Sequence, residues 1–500
     1  MDSPVEIPFN SFIKIDKNSE TSIYLQLADQ FAKSIQLGYL PSGTKLPGTR
    51  QLSKIFELHR NTIVASLQEL ELQGWIEIVP NKGSYILNQK SSYKFQKITN
   101  KEQDSINSYP KEAGFDFEKS ILLDNPYEPY TEKLYLTDGT IDNRLAELKI
   151  PAKLYSSILK RKTSFLKINQ TENEFFLKNL ANYLNLTRGL HISKENIVFT
   201  KNSEMILYII SQMLLNKDDC VAITDLSYYK TNMIFQTKNV KIKQVSVDEN
   251  GMDMKALRIV CENNPIRIVF VTPHHHYPTT VTLSLERRIE LINLSKEFGF
   301  IIIEYDYDFD FHYSNRPILP LASTNQNGMV IYIGKFGNYL ASGYHAGFMI
   351  APENFIQETK KHLSIINQEV DPFIEQVLGE MINDGEINRI LKKLRKIYKE
   401  RGDYFYDKIK TELDGFIDVN KPSGGLAIWV SFKHKINLMQ IKKICSKHGL
   451  FIPQTLLYQT KKTTSIRVGF GHLNFEEIDE TIAILKLSIL SLIDDNNGKN

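Results

Sequence analysis

Apolar residues between 23 and 37 recur at near-helical spacing: Ile23, Leu25, Leu27, Ala28, Phe31, Ile35 and Leu37. The stretch YLPSGTKLP then breaks the period with two prolines and a glycine. A second helical run covers Thr49 to Phe56, a short ELHR turn follows, and NTIVASLQELELQG gives a third with Ile63, Val64, Leu67 and Leu70 inward. Asn61 stands where a cap would open that third helix, and Gly74 where it would close. Beyond it, WIEIV and SYIL alternate on either side of PNKG, the pattern of a β-hairpin.

Three helices with a tight turn between the last two, backed by a hairpin, predict a winged helix-turn-helix, in which the third helix enters the DNA major groove. Arg50, His59, Arg60, Asn61 and Thr62 fall where the second and third helices begin, within reach of phosphates and base edges, while Lys82 and Gly83 fall at the hairpin tip. Lys45 and Lys54 add local positive charge. The expected partner is double-stranded operator DNA.

After residue 90 the pattern changes. SSYKFQKITNKEQDSINS is polar and aperiodic and marks a linker, taken as 91–115 between an N-terminal domain at 1–90 and a large unit at 116–500. In the large unit ENIVFT, CVAITD, VKIKQVSV, IRIVFVTP, FGFIIIEY and MVIYIG are short apolar runs alternating with helical periods, the sign of an α/β fold whose parallel sheet is covered on both faces. The terminal DDNNGKN reads as a frayed tail.

At 500 residues, 42% hydrophobic and 24% charged, the chain has material for large cores, which excludes disorder as its main state. A net charge of +3 supplies no global field, so DNA contact must come from a local patch. Cys220, Cys261 and Cys445 are too few and too far apart for a disulfide framework or a C-x-x-C site. No basic region followed by an apolar run opens the chain, and no apolar stretch reaches membrane length. A cytoplasmic location with no membrane partner is the expectation.

KLPGTRQLSKIFELHRNTIVASLQELELQGWIEIVPNKGSYI resembles the DNA-binding domain of GntR-type bacterial regulators, with Gly48 where that family usually has serine. That resemblance gives Arg50, Arg60, Thr62 and Gly83 the DNA contacts. VTPHHHYPTTVTLSLERRIELI, IIIEYDYDFDFHY, YIGKFGNYLASGYHAGFMIAP, PSGGLAIWVSF and IRVGFGHL resemble, in this order, fold-type I aminotransferases. Together the two parts resemble the MocR subfamily. Implied is a mixed, mostly parallel sheet covered by helices, a smaller C-terminal α/β subdomain at about 390–495, and a head-to-tail homodimer.

The family cofactor is pyridoxal phosphate, held as an imine on a lysine, with an aspartate keeping the ring nitrogen protonated. Aligned on the resemblance, the lysine position is Asn338 and the aspartate position Tyr305, with Tyr307 retained. An amide forms no imine and a phenol supplies no such charge, so no catalytic residue and no covalent cofactor is expected. The phosphate-binding arginine and hydroxyl positions fall at His345 and Lys335, the turn before the helix reads TKNSEM, and a tyrosine lent by a partner subunit falls at Ile168. Tyr228 keeps the ring-stacking position, Tyr277 lies in the same motif set, and Arg467 holds the position that grips a substrate carboxylate.

Two readings stand for Tyr228 and Arg467: a pocket for a small carboxylate or anionic ligand, or core packing and a structural ion pair. Retained aminotransferase activity would need Lys335 or Lys201 to form the imine. A large domain without any ligand, serving only to fix operator spacing, is a third reading. His274, His275 and His276 carry no metal expectation, because only alternate residues converge and no ligand partner is fixed by spacing. Asp306, Asp308 and Asp310 alternate with aromatics, which on one strand would put three carboxylates on one face.

Overall fold

The computed structural model describes residues 9, 12–17, 19, 21–80, 82–87, 112–124, 126, 128–161, 173–314, 318–324, 327–337, 339–340, 346–366, 371–434, 436–461 and 463–497. Residues 91–111 of the expected linker, Ile168, Asn338 and His345 lie outside the described residues. The chain divides into two compact units, 1–117 and 118–500.

In the first unit α1 (Ile23–Gln36), α2 (Thr49–Phe56) and α3 (Arg60–Leu72) precede β1 (Ile76–Val79) and β2 (Gly83–Ile86). The apolar stripe of α1 buries Leu27, Ala28 and Phe31 against Leu52, Ile63, Leu67 and Leu70. A fully buried Phe31 contributes about 1.5–3 kcal/mol relative to an exposed one. β1 and β2 pair antiparallel from Ile76↔Ile86 to Val79↔Gly83. Gly83 has a φ of +121° and an ideal Cβ there would lie 2.9 Å from Lys45 Cε, so the hairpin turn calls for glycine.

The second unit is built on a seven-stranded sheet of β4 (Ile197–Thr200), β5 (Cys220–Thr224), β6 (Lys241–Val245), β9 (Ile266–Val271), β10 (Ile301–Asp306), β11 (Val330–Phe336) and β12 (Ala346–Ile350). Its order is β4-β12-β11-β10-β9-β5-β6, and only β12 runs antiparallel to its neighbours. The pairs β7 (Val247–Asp248) with β8 (Gly251–Met252) and β3 (Leu134–Tyr135) with β15 (Leu450–Phe451) are short additions. β13 (Ile417–Val419), β14 (Ala427–Phe432), β16 (Leu457–Gln459) and β17 (Thr464–Gly469) form a second, four-stranded sheet. Helices 386–412, 438–447 and 475–497 pack on it around Phe405, Ile441, Ile482 and Ile489.

Three local expectations are corrected. His59, not Asn61, caps α3: its Nδ1 accepts the Asn61 backbone N–H at 3.3 Å. Asp306, Asp308 and Asp310 do not share a strand face, because β10 ends at Asp306 and Asp310 falls in the 3-10 turn Phe309–Phe311. The last helix runs through Asn497, carried past the polar DDNN by the buried period Ile478, Ile482, Leu485 and Ile489.

Candidate functional site

In the first unit the seven candidate DNA residues lie at the starts of α2 and α3 and at the hairpin tip. Arg50, His59, Arg60, Asn61 and Lys82 are exposed, with Thr62 and Gly83 half-buried. Arg60 Nε donates to Thr49 Oγ1 at 3.3 Å, tying the first residue of α3 to the first residue of α2. The arginine-bearing starts of two helices are thereby tied to each other.

In the second unit a cavity of about 530 Å³ opens where the parallel strands end, the place where open α/β sheets bind ligands. Thr224 ends β5, Thr272 follows β9, Tyr305 lies near the end of β10 and Lys335 near the end of β11, and all four line it. Lys335 faces Gly347 across the ladder, and Gly347 faces Thr200, the residue before the turn into helix Ser203–Leu214. An ideal Cβ on Gly347 would sit 2.5 Å from Ser203 N, so only glycine lets this helix start approach the sheet.

That helix start is closed by the chain itself. Asn202 Oδ1 accepts the Met205 N–H at 2.8 Å, Tyr305 Oη lies 2.9 Å from Ser203 Oγ, and Glu204 puts a carboxylate in the first turn. Lys335 hydrogen-bonds Tyr305. Burial alone would lower the Lys335 amine, but the Tyr305 oxygen and the Glu204 and Asp138 carboxylates hold it above its ordinary value. It is a protonated lysine, a donor rather than a nucleophile.

Tyr228, Tyr277 and Tyr307 line the same cavity. Tyr228 meets Tyr277 edge-on with ring centroids 5.0 Å apart. Arg467 lies behind them, 1% exposed. Its Nε donates to Asp138 O at 2.8 Å, Nη1 to Pro278 O at 2.8 Å and Nη2 to Tyr307 Oη at 3.2 Å, and its guanidinium stacks 4.6 Å from the Tyr277 ring centre. The cavity therefore meets the tyrosines in front of Arg467 rather than its free fork.

The three histidines go to separate partners. His274 Nε2 bonds Ile318 O at 2.6 Å, and its Nδ1 faces Asp306 at 3.0 Å off the axis of a hydrogen bond. His275 Nδ1 meets Asp308 at 2.7 Å, and although burial opposes its charge, Asp308 raises it above the ordinary value. His276 lies between Thr279 and Thr224 and is pushed down to about 3 by burial, with Arg467 adding to the effect. No group of three metal-ligating side chains converges among the described residues.

The sequence reading missed three features. Asp138 brings a carboxylate into the cavity wall from a loop with no motif. Glu204 was passed over as one letter of TKNSEM. Arg188, fully buried, joins Tyr332 and Asp310, and Tyr332 donates to Asp306 at 2.9 Å. Only the arginine, inside an otherwise apolar helix face, carried a signal: a buried cation requires a partner.

A winged helix and an aminotransferase-like sheet with a strand-end cavity define a DNA-binding module joined to a fold-type I scaffold. The family model Aminotransferase class I and II matches residues 136–485, and the chain belongs to this family. The model for bacterial regulatory proteins of the gntR family matches residues 23–86, which makes the order of domains that of the MocR type.

Among curated relatives, the uncharacterized HTH-type transcriptional regulator YdfD of Bacillus subtilis (strain 168) is 24% identical over 489 residues, 96% of this chain and 99% of the relative. The probable rhizopine catabolism regulatory protein MocR of Rhizobium meliloti is 22% identical over 494 residues, 96% of each chain. The solved kynurenine aminotransferase of Pyrococcus horikoshii superposes with a TM-score of 0.65 at 22% identity, covering 72% of this chain and 91% of its own, a likeness of fold alone.

Proposed function

We propose that this protein is a transcription regulator: the winged helix binds operator DNA, and the aminotransferase-like unit pairs two copies and offers a non-covalent ligand pocket. Supporting it most is the joining of both modules over nearly the full length of relatives named as regulators. Two copies would bring two winged helices to two half-sites, so the operator would mirror the symmetry of the dimer. The work is done where DNA is, in the cytoplasm.

The residues of the pocket fit pyridoxal phosphate poorly. A phosphate would need the start of helix Ser203–Leu214, where Asn202 already accepts an N–H and Glu204 adds a negative charge. Tyr305 takes the place of the ring-nitrogen acid and reaches Ser203 with its hydroxyl. The lysine in the cavity wall, Lys335, is held protonated. These features support a regulator without transamination chemistry.

Two experiments test the reading. Selection from a random duplex pool with the full-length chain should enrich a two-part site bound in the nanomolar range, and a pool that stays unenriched overturns the regulator assignment. Borohydride treatment after incubation with pyridoxal phosphate, followed by mass spectrometry, should leave no lysine of the cavity specifically labelled. A specific phosphopyridoxyl lysine on the unaltered protein would overturn the non-covalent reading.

A further inference from the structure

The charged groups around the cavity differ in what they still have to offer. Arg467 donates to two backbone carbonyls and a phenol and stacks on Tyr277, so its fork is committed to the protein. Lys335 is bonded to Tyr305 with Glu204 nearby, and Asp308 is matched by His275. The carboxylate of Asp138 remains: it lines the cavity, half-buried, and although its charge is felt by Lys335 and Arg467, among the described residues no cation lies within ion-pair distance of it and no donor bonds its oxygens.

Its surroundings are aromatic. Tyr228 lines the same cavity as Asp138, and the carboxylate's charge adds to burial in raising the Tyr228 hydroxyl. Tyr277, Tyr307 and Phe270 add aromatic wall, beside polar lining from Thr137, Ser227, Thr272 and Lys335. Ring faces around one carboxylate attract an organic ammonium group through the ring quadrupole and a charge-assisted hydrogen bond.

We propose that this cavity binds a flat organic amine as its cation, with the ammonium against Asp138 among the tyrosine rings, rather than the carboxylate that the arginine position suggests. At about 530 Å³ the space exceeds a single aromatic amine, so the body of the ligand lies between Tyr228 and Tyr307 and its far end meets Lys335 with a neutral acceptor such as a hydroxyl. The proposal rests on the reading of the cavity as a non-covalent site. Operator binding is measured separately, so each reading can fail alone.

The test is isothermal titration calorimetry of the full-length protein with three probes that share one ring: tyramine, tyrosine and 4-hydroxyphenylacetate. Tyramine should bind at least tenfold more tightly than the acid, and Asp138→Asn should weaken tyramine at least tenfold with an unchanged melting temperature. Tyr228→Leu should weaken it severalfold, which checks the aromatic wall by a second route. The proposal is overturned if the acid or the amino acid binds tighter than the amine, if Asp138→Asn binds tyramine as before, or if tyramine gives no binding heat.

Discussion

Replacing Arg467 by leucine separates a structural clamp from a ligand grip. The change removes donors from Asp138 O, Pro278 O and Tyr307 Oη in a region where Arg467 is 1% exposed. A buried acceptor left without its donor costs about 1–3 kcal/mol. Asp138 lies on the cavity wall, where water can replace the donor, while Pro278 O is deeper, so the loss should come to about 3 kcal/mol after relief of the buried charge. Arg467→Lys keeps one point charge without the fork and should lose about half as much.

The two tryptophans provide the readout. Trp75 belongs to the first unit, and Trp429 faces Arg467 across the β14–β17 ladder. In a Trp75→Phe background, denaturant unfolding followed by fluorescence therefore reports the second unit alone, and the midpoint should fall at constant slope. A loss under about 1 kcal/mol, accompanied by abolished binding of an organic acid, would refute the clamp and restore the carboxylate grip.

Three further outcomes are expected. His276 is held neutral with its pKa pushed down to about 3 by burial, whereas the unfolded chain takes up that proton near pH 6.5. Its contribution is intact above pH 6.5 and is lost as the pH falls toward 3, reaching about 2 kcal/mol at pH 5; His276→Asn should flatten the fall in melting temperature between pH 6.5 and 4.5, and an unaltered slope would remove His276 as the cause. On selected operator DNA, Arg60→Ala should cost about 1–3 kcal/mol in fluorescence anisotropy if it reads a base, while Lys82→Ala should lower the salt slope by about 0.9 on every sequence; equal losses on operator and random DNA would make Arg60 a phosphate contact too. A double-mutant cycle of Tyr305→Phe and Lys335→Met, read by thermal unfolding, should give a coupling of about 1–3 kcal/mol, and additive losses would mean that the two groups do not support each other.

Patterns set by local chemistry were legible in the sequence. α2 falls at Thr49–Phe56 because Gly48 and the αL residue Glu57 bracket a single amphipathic run, and the strand runs from CVAITD to MVIYIG each become a sheet strand. The cap of α3 was misplaced by two residues because histidine is a weak capping type, and only the fold brings His59 Nδ1 to the Asn61 N–H. Asp138 left no trace at all. Its place in the cavity depends on Gly139 at φ +115° and on Gly469, whose ideal Cβ would sit 2.5 Å from Gly139 N, a contact across some 330 residues.

Position alone also hides what a side chain is committed to. Read singly, a tyrosine at 305 and a lysine at 335 each look like the loss of a cofactor contact. In the fold they form one hydrogen bond, with Ser203 as the next link and Glu204 beside it, so the phenol gains a donor and the ammonium an acceptor where neither could be buried alone. A site that had merely decayed would leave one of these polar groups unmatched, at a cost of a few kcal/mol. Their mutual satisfaction accounts for how both can be buried together, and it leaves the carboxylate of Asp138, whose oxygens no described donor bonds, as the cavity group with capacity for a ligand.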